Sequence, residues 1–136
     1  GVMTASILLP YAGLLGLVLL GLSFNVVRLR RKHQVGIGTG DVPELARGIR
    51  AHANFCEYVP LALILLFGLA AAGAAPIWAL HALAGALVIG RILHAIGLSR
   101  TAGASAARVW GTLLTWSVML FTAGAALGAG VRLLLS

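Results

Sequence analysis

Along the chain, long apolar stretches alternate with short polar ones, and each apolar stretch is long enough to cross a bilayer. The first runs from about Ser6 to Val27, interrupted only by Asn25 and a few hydroxyls, and it ends in the cluster Arg28, Arg30, Arg31, Lys32. A cleaved leader would carry its basic residues ahead of a shorter apolar stretch, so this order predicts a retained helix. The connection HQVGIGTGDVP follows over residues 33–43. Asp41 with Glu44 three residues on has the spacing of a capping box, which predicts a second helix from about Val42 to Ala72. Such a helix is longer than a hydrocarbon core about 30 Å thick requires, so its first turns project through the interface. The segment AAGAAP is a tight, uncharged turn, with Pro76 suited to the start of a third helix from about Ile77 to Leu98. Polar GLSRTAGAS leads into a fourth, from about Ala106 to Leu135. The expected fold is all-α: a single domain over residues 1–136 built as a four-transmembrane-helix bundle.

Composition agrees with that pattern. Of the 136 residues 60% are hydrophobic and 10% charged, with a mean hydropathy of +1.03. A soluble domain clothes its surface with about a quarter charged residues, so lipid is the expected solvent. The net charge of +7 would suggest nucleic acid in a soluble protein. In a membrane protein it reports orientation first: every basic residue except Arg132 falls on or beside the 28–50 and 98–107 connections. That face is expected to be cytoplasmic, with both termini outside. Cys56 is the single cysteine, so neither a disulfide scaffold nor a cysteine zinc site is available, and packing is its simplest role. Gly36, Gly38 and Gly40 follow no strand and lack the Lys-Ser/Thr ending of a phosphate loop. Gly124 and Gly128 form a G-x-x-x-G step, which either brings helices together in lipid or arises by chance among 18 glycines. Trp78 and Trp110, near helix ends, and Trp116 fit an aromatic belt.

The start of the second helix, RGIRAHANFCEYVP, places polar groups where the membrane penalises them. At about 100° per residue, Arg47, Arg50, Asn54, Glu57 and Tyr58 fall within an arc of roughly 100°, while His52 and Cys56 point elsewhere. A salt bridge of Arg50 or Arg47 with Glu57 would account for one pair in structural terms. Two guanidiniums, a carboxamide, a carboxylate and a phenol exceed one pair and read as a binding surface. Guanidinium forks take carboxylates, Glu57 accepts an ammonium and Asn54 serves amides, which suits a small zwitterionic peptide richer in carboxylates than amines, as glutathione is.

The motif R-x-x-R-A-x-x-N-x-x-E-Y-x-P, here Arg47, Arg50, Ala51, Asn54, Glu57, Tyr58 and Pro60, resembles the second-helix signature of the MAPEG family, membrane-associated proteins of eicosanoid and glutathione metabolism. The resemblance extends to the chain length, the four spans and the basic first loop. It implies a homotrimer, bacterial and of the inner membrane, with glutathione as co-substrate and no metal, held between subunits near the cytoplasmic face. Arg50, Asn54, Glu57 and Tyr58 would hold glutathione, with Arg47 beside them and Arg30, among Arg28, Arg30 and Arg31, reaching from a neighbour. It further implies that an arginine opening the fourth helix stabilises the thiolate, and Arg108 is the candidate. A fixed cation favours thiolate over a thiol that otherwise titrates near 8.5; an interfacial anchor is the alternative role for Arg108.

In the third helix Arg91 and His94 lie one turn apart on a face expected to meet the polar stripe. Arg91 is a weaker glutathione contact or a structural partner of Glu57. His94 stands where family members often carry tyrosine, and it either tunes the thiolate as a general acid or is held inside the bundle. His81 is expected to be structural. The leading expectation is a glutathione transferase or peroxidase acting on lipophilic molecules that enter from the bilayer, with no nucleic-acid partner. The alternatives are a non-catalytic membrane ligand-binding scaffold and an accessory subunit of a membrane complex.

Overall fold

The computed structural model describes residues 2–100 and 105–136. Residues 101–104 of the expected polar connection between the third and fourth spans lie outside the described residues. A short helix α1 (Val2–Ser6) leads through a tight turn into α2 (Leu9–His33), followed by α3 (Pro43–Ala71), α4 (Ile77–Arg100) and α5 (Ala106–Leu135). Four spans, Met3–His33 and the three helices after it, are long and apolar enough to cross a membrane. The protein is an all-helical integral membrane protein.

One expected boundary and one expected cap differ. The first span does not end at Val27: α2 continues to His33 and closes on Gln34 in the left-handed conformation, φ 57°. Arg30, Arg31, Lys32 and His33 occupy its last turn, where cations complement the helix dipole, so the polar cluster prolongs the helix after the apolar run has stopped. The capping box is also absent. Val42 is the N-cap of α3 and no side chain caps it. Asp41 sits at φ 58°, and Glu44 turns instead to Lys32 and His33 at 3.2 and 3.0 Å. Pro43 in the first turn dispenses with one of the donors that a cap would serve.

The core lies between the helices and is narrow, and most of each outer face is exposed and apolar. Leu8, Leu15, Leu22 and Leu29, spaced by seven, form the buried stripe of the first span. Facing it, α3 contributes Ala51, Phe55, Val59, Ala62 and Leu66. Tyr11 of α2 meets His81 of α4 at 2.7 Å, which gives His81 the structural role expected of it.

Association in lipid rests on close packing, since apolar side chains gain nothing by leaving hydrocarbon. That packing is tightest between α4 and α5. A Cβ built on Gly111 would stand 2.5 Å from the backbone nitrogen of His94 and 2.6 Å from the carbonyl of Gly90, and one on Gly97 would stand 2.5 Å from the backbone nitrogen of Arg108. These glycines let two backbones touch beside His94 and Arg108. Gly124 and Gly128 face outward, with nothing within 4 Å of the added Cβ, so they serve no contact inside one chain.

Candidate functional site

The polar stripe of α3 looks onto α4 and α5. Arg91 is only 2% exposed, and its guanidinium donates to Asn54 Oδ1 at 2.6 Å and to Thr115 Oγ1 at 3.3 Å. His94 is equally buried, with Nδ1 3.4 Å from Arg91 Nη2. The guanidinium carbon of Arg91 lies 6.0 Å from the ring centres of both Phe55 and Tyr58. The expected meeting of the Arg91–His94 face with the stripe is therefore found.

The suggested pairing of Arg91 with Glu57 is not. Glu57 is taken by Arg50 of its own helix, Nη2 to Oε2 at 2.6 Å, and both side chains are about half exposed. Of the salt bridges weighed for Glu57, the one with Arg50 forms. Seven residues apart on an α-helix is two turns, within reach of a long arginine and a glutamate extended toward each other. Arg91, held deeper by Asn54 and Thr115, is left among neutral partners. Burying a guanidinium without a carboxylate is costly unless its hydrogen bonds are met, and Arg91 Nε is buried with no hydrogen-bond partner among the described residues.

Arg47 shares that feature: its Nε is buried with no partner among the described residues. Arg47 and Arg50 line a surface groove of about 300 Å³ together with Pro43, Ala46, Leu98 and Arg108. Arg108 reaches the groove because α5 begins beside the end of α4. Ser105 is the N-cap of α5 and its Oγ accepts from the backbone nitrogen of Arg108 at 3.2 Å, directly over Gly97. Three arginines thus converge on one groove at the basic end of the bundle, with Glu57 two turns further along α3.

Tyr58 receives a hydrogen bond from Trp116 Nε1 at 3.1 Å, which ties the end of the stripe to α5. Arg30 is engaged in its own chain, donating to the carbonyls of Gly38 at 2.9 Å and Val35 at 3.3 Å, and so folds the first loop back over α2. Arg28 bonds Asn25 at 2.8 Å, while Arg31 is exposed. Cys56 does not pack in the chain's core. It is exposed, 4.0 Å from His52 Nδ1, and His52 in turn meets Ser23 at 3.0 Å. A position one step off the polar stripe is still on the outside of a helix that buries only one narrow side.

Sequence reading missed Thr115 and the glycines at the α4–α5 crossing. Thr115 lies two turns after Arg108, on the same face, and that spacing was the available signal. Gly90 and Gly97, seven apart, mark one stripe of α4, but only their meeting with α5, Gly90 against Gly111 and Gly97 against Ser105 and Arg108, gives them meaning.

Comparison with known proteins accords with the motif. The MAPEG family model matches residues 8–128. The inner membrane protein YecN of Escherichia coli K12 is 40% identical over 87 residues, which cover 64% of this chain and 66% of that protein. Its counterpart in Escherichia coli O6:H1 has the same identity and coverage. The match thus spans just under two thirds of the length of these curated relatives.

Proposed function

The chain belongs to the MAPEG family, and from that membership we propose that it is a glutathione-dependent enzyme, a transferase or peroxidase, acting on lipophilic molecules drawn from the bilayer. The observation that carries the reading is the groove in which Arg47, Arg50 and Arg108 converge. Three guanidiniums against a single nearby carboxylate suit a ligand whose carboxylates outnumber its amines. Glutathione carboxylates bind Arg47 and Arg50, its ammonium turns to Glu57, and its thiol lies toward Arg108. Because Glu57 and Arg50 are paired at 2.6 Å, the ligand enters by exchanging that ion pair for two of its own.

Arg108 favours the thiolate by charge, with the thiol proton released to solvent. The sulfur lone pair then attacks an electrophilic carbon and the leaving group departs with its bonding pair. With a peroxide, the sulfur attacks one oxygen to form a sulfenic acid as the O–O bond breaks, the alkoxide leaves and takes a proton from solvent, and the thiol of a second glutathione displaces water from the sulfenic sulfur to give the disulfide. Asn54 Oδ1 accepts from Arg91, which leaves the amide nitrogen of Asn54 to serve the ligand, so Arg91 and His94 shape the floor of the site while the stripe above them binds. We place the protein in a bacterial inner membrane as a homotrimer, basic end cytoplasmic, with a neighbour's first-helix arginine completing the site.

The test is purified protein with glutathione and a generic aromatic electrophile, following thiolate absorbance and turnover. Arg108→Ala is expected to abolish both while glutathione still binds, and Glu57→Gln to weaken binding. The Arg50–Glu57 pair also favours a second reading, a scaffold that binds without reacting, because it satisfies both groups in the absence of substrate. Glutathione binding with no thiolate signal and no turnover would favour the scaffold. No binding at all would refute both and leave an accessory subunit.

A further inference from the structure

Two members of the α3 stripe, Asn54 and Tyr58, can either give or take a hydrogen bond, and both are met by a group that can only give. An indole has one N–H and no acceptor, and a guanidinium has five donors and no acceptor. Trp116 of α5 donates to the Tyr58 hydroxyl oxygen at 3.1 Å, as Arg91 of α4 donates to Asn54 Oδ1 at 2.6 Å. With its oxygen engaged in this way Tyr58 has its proton left, and no described residue accepts it. Other hydroxyls of the last two helices, those of Ser99, Thr112, Thr115, Ser117 and Thr122, spend their protons on carbonyls of their own helix. A phenol stands too far from its own backbone to do the same.

Helical register sets which ligand group meets that proton. Arg50 and Tyr58 are eight residues apart on α3, and Arg108 and Trp116 eight apart on α5, so each pair shares a face and is separated by about 12 Å along its helix. The two arginines border one groove, and the two aromatic residues meet two turns deeper. Arg50 bends down to Glu57, the residue before Tyr58, at 2.6 Å. A carboxylate, a guanidinium and a phenolic donor thus stand together, which is the complement of an α-amino acid, its ammonium on Glu57 and its carboxylate between Arg50 and Tyr58. We propose that Trp116 is a positioning residue: by engaging the Tyr58 oxygen it commits the hydroxyl to donate to the carboxylate that neighbours the ligand's ammonium, so that the site selects the amino-acid head of a γ-glutamyl group. The inference rests on the glutathione reading above and adds to it the residue that sets the polarity of this corner. Hydrogen bonds in series polarise one another, so the indole strengthens the phenol as a donor in turn. Without the indole, the phenol oxygen is open to the ammonium instead. A tie between α3 and α5 needs the bond but not its direction; the direction matters only to a ligand.

Calorimetric titration of the whole protein in detergent with glutathione, and with γ-aminobutyryl-cysteinyl-glycine, the same peptide without the α-carboxylate, tests this. Trp116 is 54% exposed, so phenylalanine in its place opens no cavity in the core and the fold is retained. Tyr58→Phe should weaken glutathione binding about ten-fold or more, as loss of a hydrogen bond to a charged group does, and Trp116→Phe about three- to ten-fold. The double variant should bind no more weakly than Tyr58→Phe, and all three should bind the shortened peptide as wild type does. Equal weakening of both peptides by Trp116→Phe would mean that the tryptophan only supports the wall of the site, and would overturn the proposal. So would an effect of Trp116→Phe that adds in full to that of Tyr58→Phe, since the tryptophan would then act by another route. Wild-type affinity for glutathione in Trp116→Phe would remove this inference alone and leave the glutathione reading in place. A wild-type protein that binds neither peptide would remove that reading, and this inference with it.

Discussion

Replacing Gly97 by alanine tests whether the α4–α5 contact positions Arg108. The added Cβ would lie 2.5 Å from the Arg108 backbone nitrogen, 2.8 Å from Ser105 Oγ and 3.0 Å from the Arg108 Cα. Two of these three neighbours are backbone, which no rotamer change can move. The helices must therefore part by roughly 1 Å at this point, and overpacking of this kind costs about 1–3 kcal/mol. The displacement falls on the first turn of α5, so the arginine moves away from Arg47 and Arg50. A misplacement of that size lowers turnover by about a hundred-fold even though no reacting group is changed. Gly85 lies in the same helix, where a Cβ would make ordinary contact with Tyr11 at 3.9 Å, and serves as control. Gly85→Ala should keep its activity and gain up to about 1 kcal/mol from helix propensity. The assays are thermal unfolding in detergent and glutathione turnover, measured on both variants and on wild type. A Gly97→Ala protein as stable and as active as Gly85→Ala would refute the argument that these backbones touch and that their contact holds the site.

Other expectations follow from single interactions. Arg91→Met leaves Asn54 Oδ1 without its donor inside the bundle and should cost about 1–3 kcal/mol in detergent unfolding; an unchanged midpoint would show that this hydrogen bond contributes nothing. Tyr58→Phe and Trp116→Phe should be coupled by about 0.5–1.5 kcal/mol in a double-mutant cycle, and additive effects would dismiss the 3.1 Å bond between them. Orientation is measurable with a cysteine at Gly36, where an added Cβ meets nothing within 4 Å, in a Cys56→Ser background. An impermeant maleimide should label it only after the cytoplasmic side is opened, and labelling of intact cells would reverse the assignment.

The four spans were legible because lipid simplifies the code: an apolar run of sufficient length has few other uses, and the ends of α4 and α5 fall within two residues of expectation. The errors arose where polar residues have more than one choice. Hydropathy stops at Val27, but Arg30 to Lys32 are good helix formers, and the backbone follows them to His33. Asp41 and Glu44 carry the spacing of a cap, yet Glu44 has partners eleven and twelve residues earlier that local spacing does not display. The stripe of Arg47, Arg50, Asn54, Glu57 and Tyr58 was readable from helical periodicity. Which of its members Arg91 would meet was not, because that depends on how far α4 slides along its neighbours, and the slide is fixed by bare glycine backbone at Gly90 and Gly111. The place of Arg108 beside Arg47 and Arg50 came from the motif's resemblance, since nothing in periodicity joins residues sixty positions apart.

The Arg50–Glu57 pair has a consequence for ionic strength. A site made only of free cations loses anionic ligands steeply as salt is added. Here salt screens two attractions at once, the one that draws the ligand in and the one that keeps Arg50 occupied while the site waits. Loosening the second offsets part of the loss in the first. Ligand affinity should therefore fall more shallowly with salt than a cluster of three arginines implies, and Glu57→Gln, which abolishes the internal competitor, should restore the steep dependence. The carboxylate buffers the site against changes in its ionic surroundings.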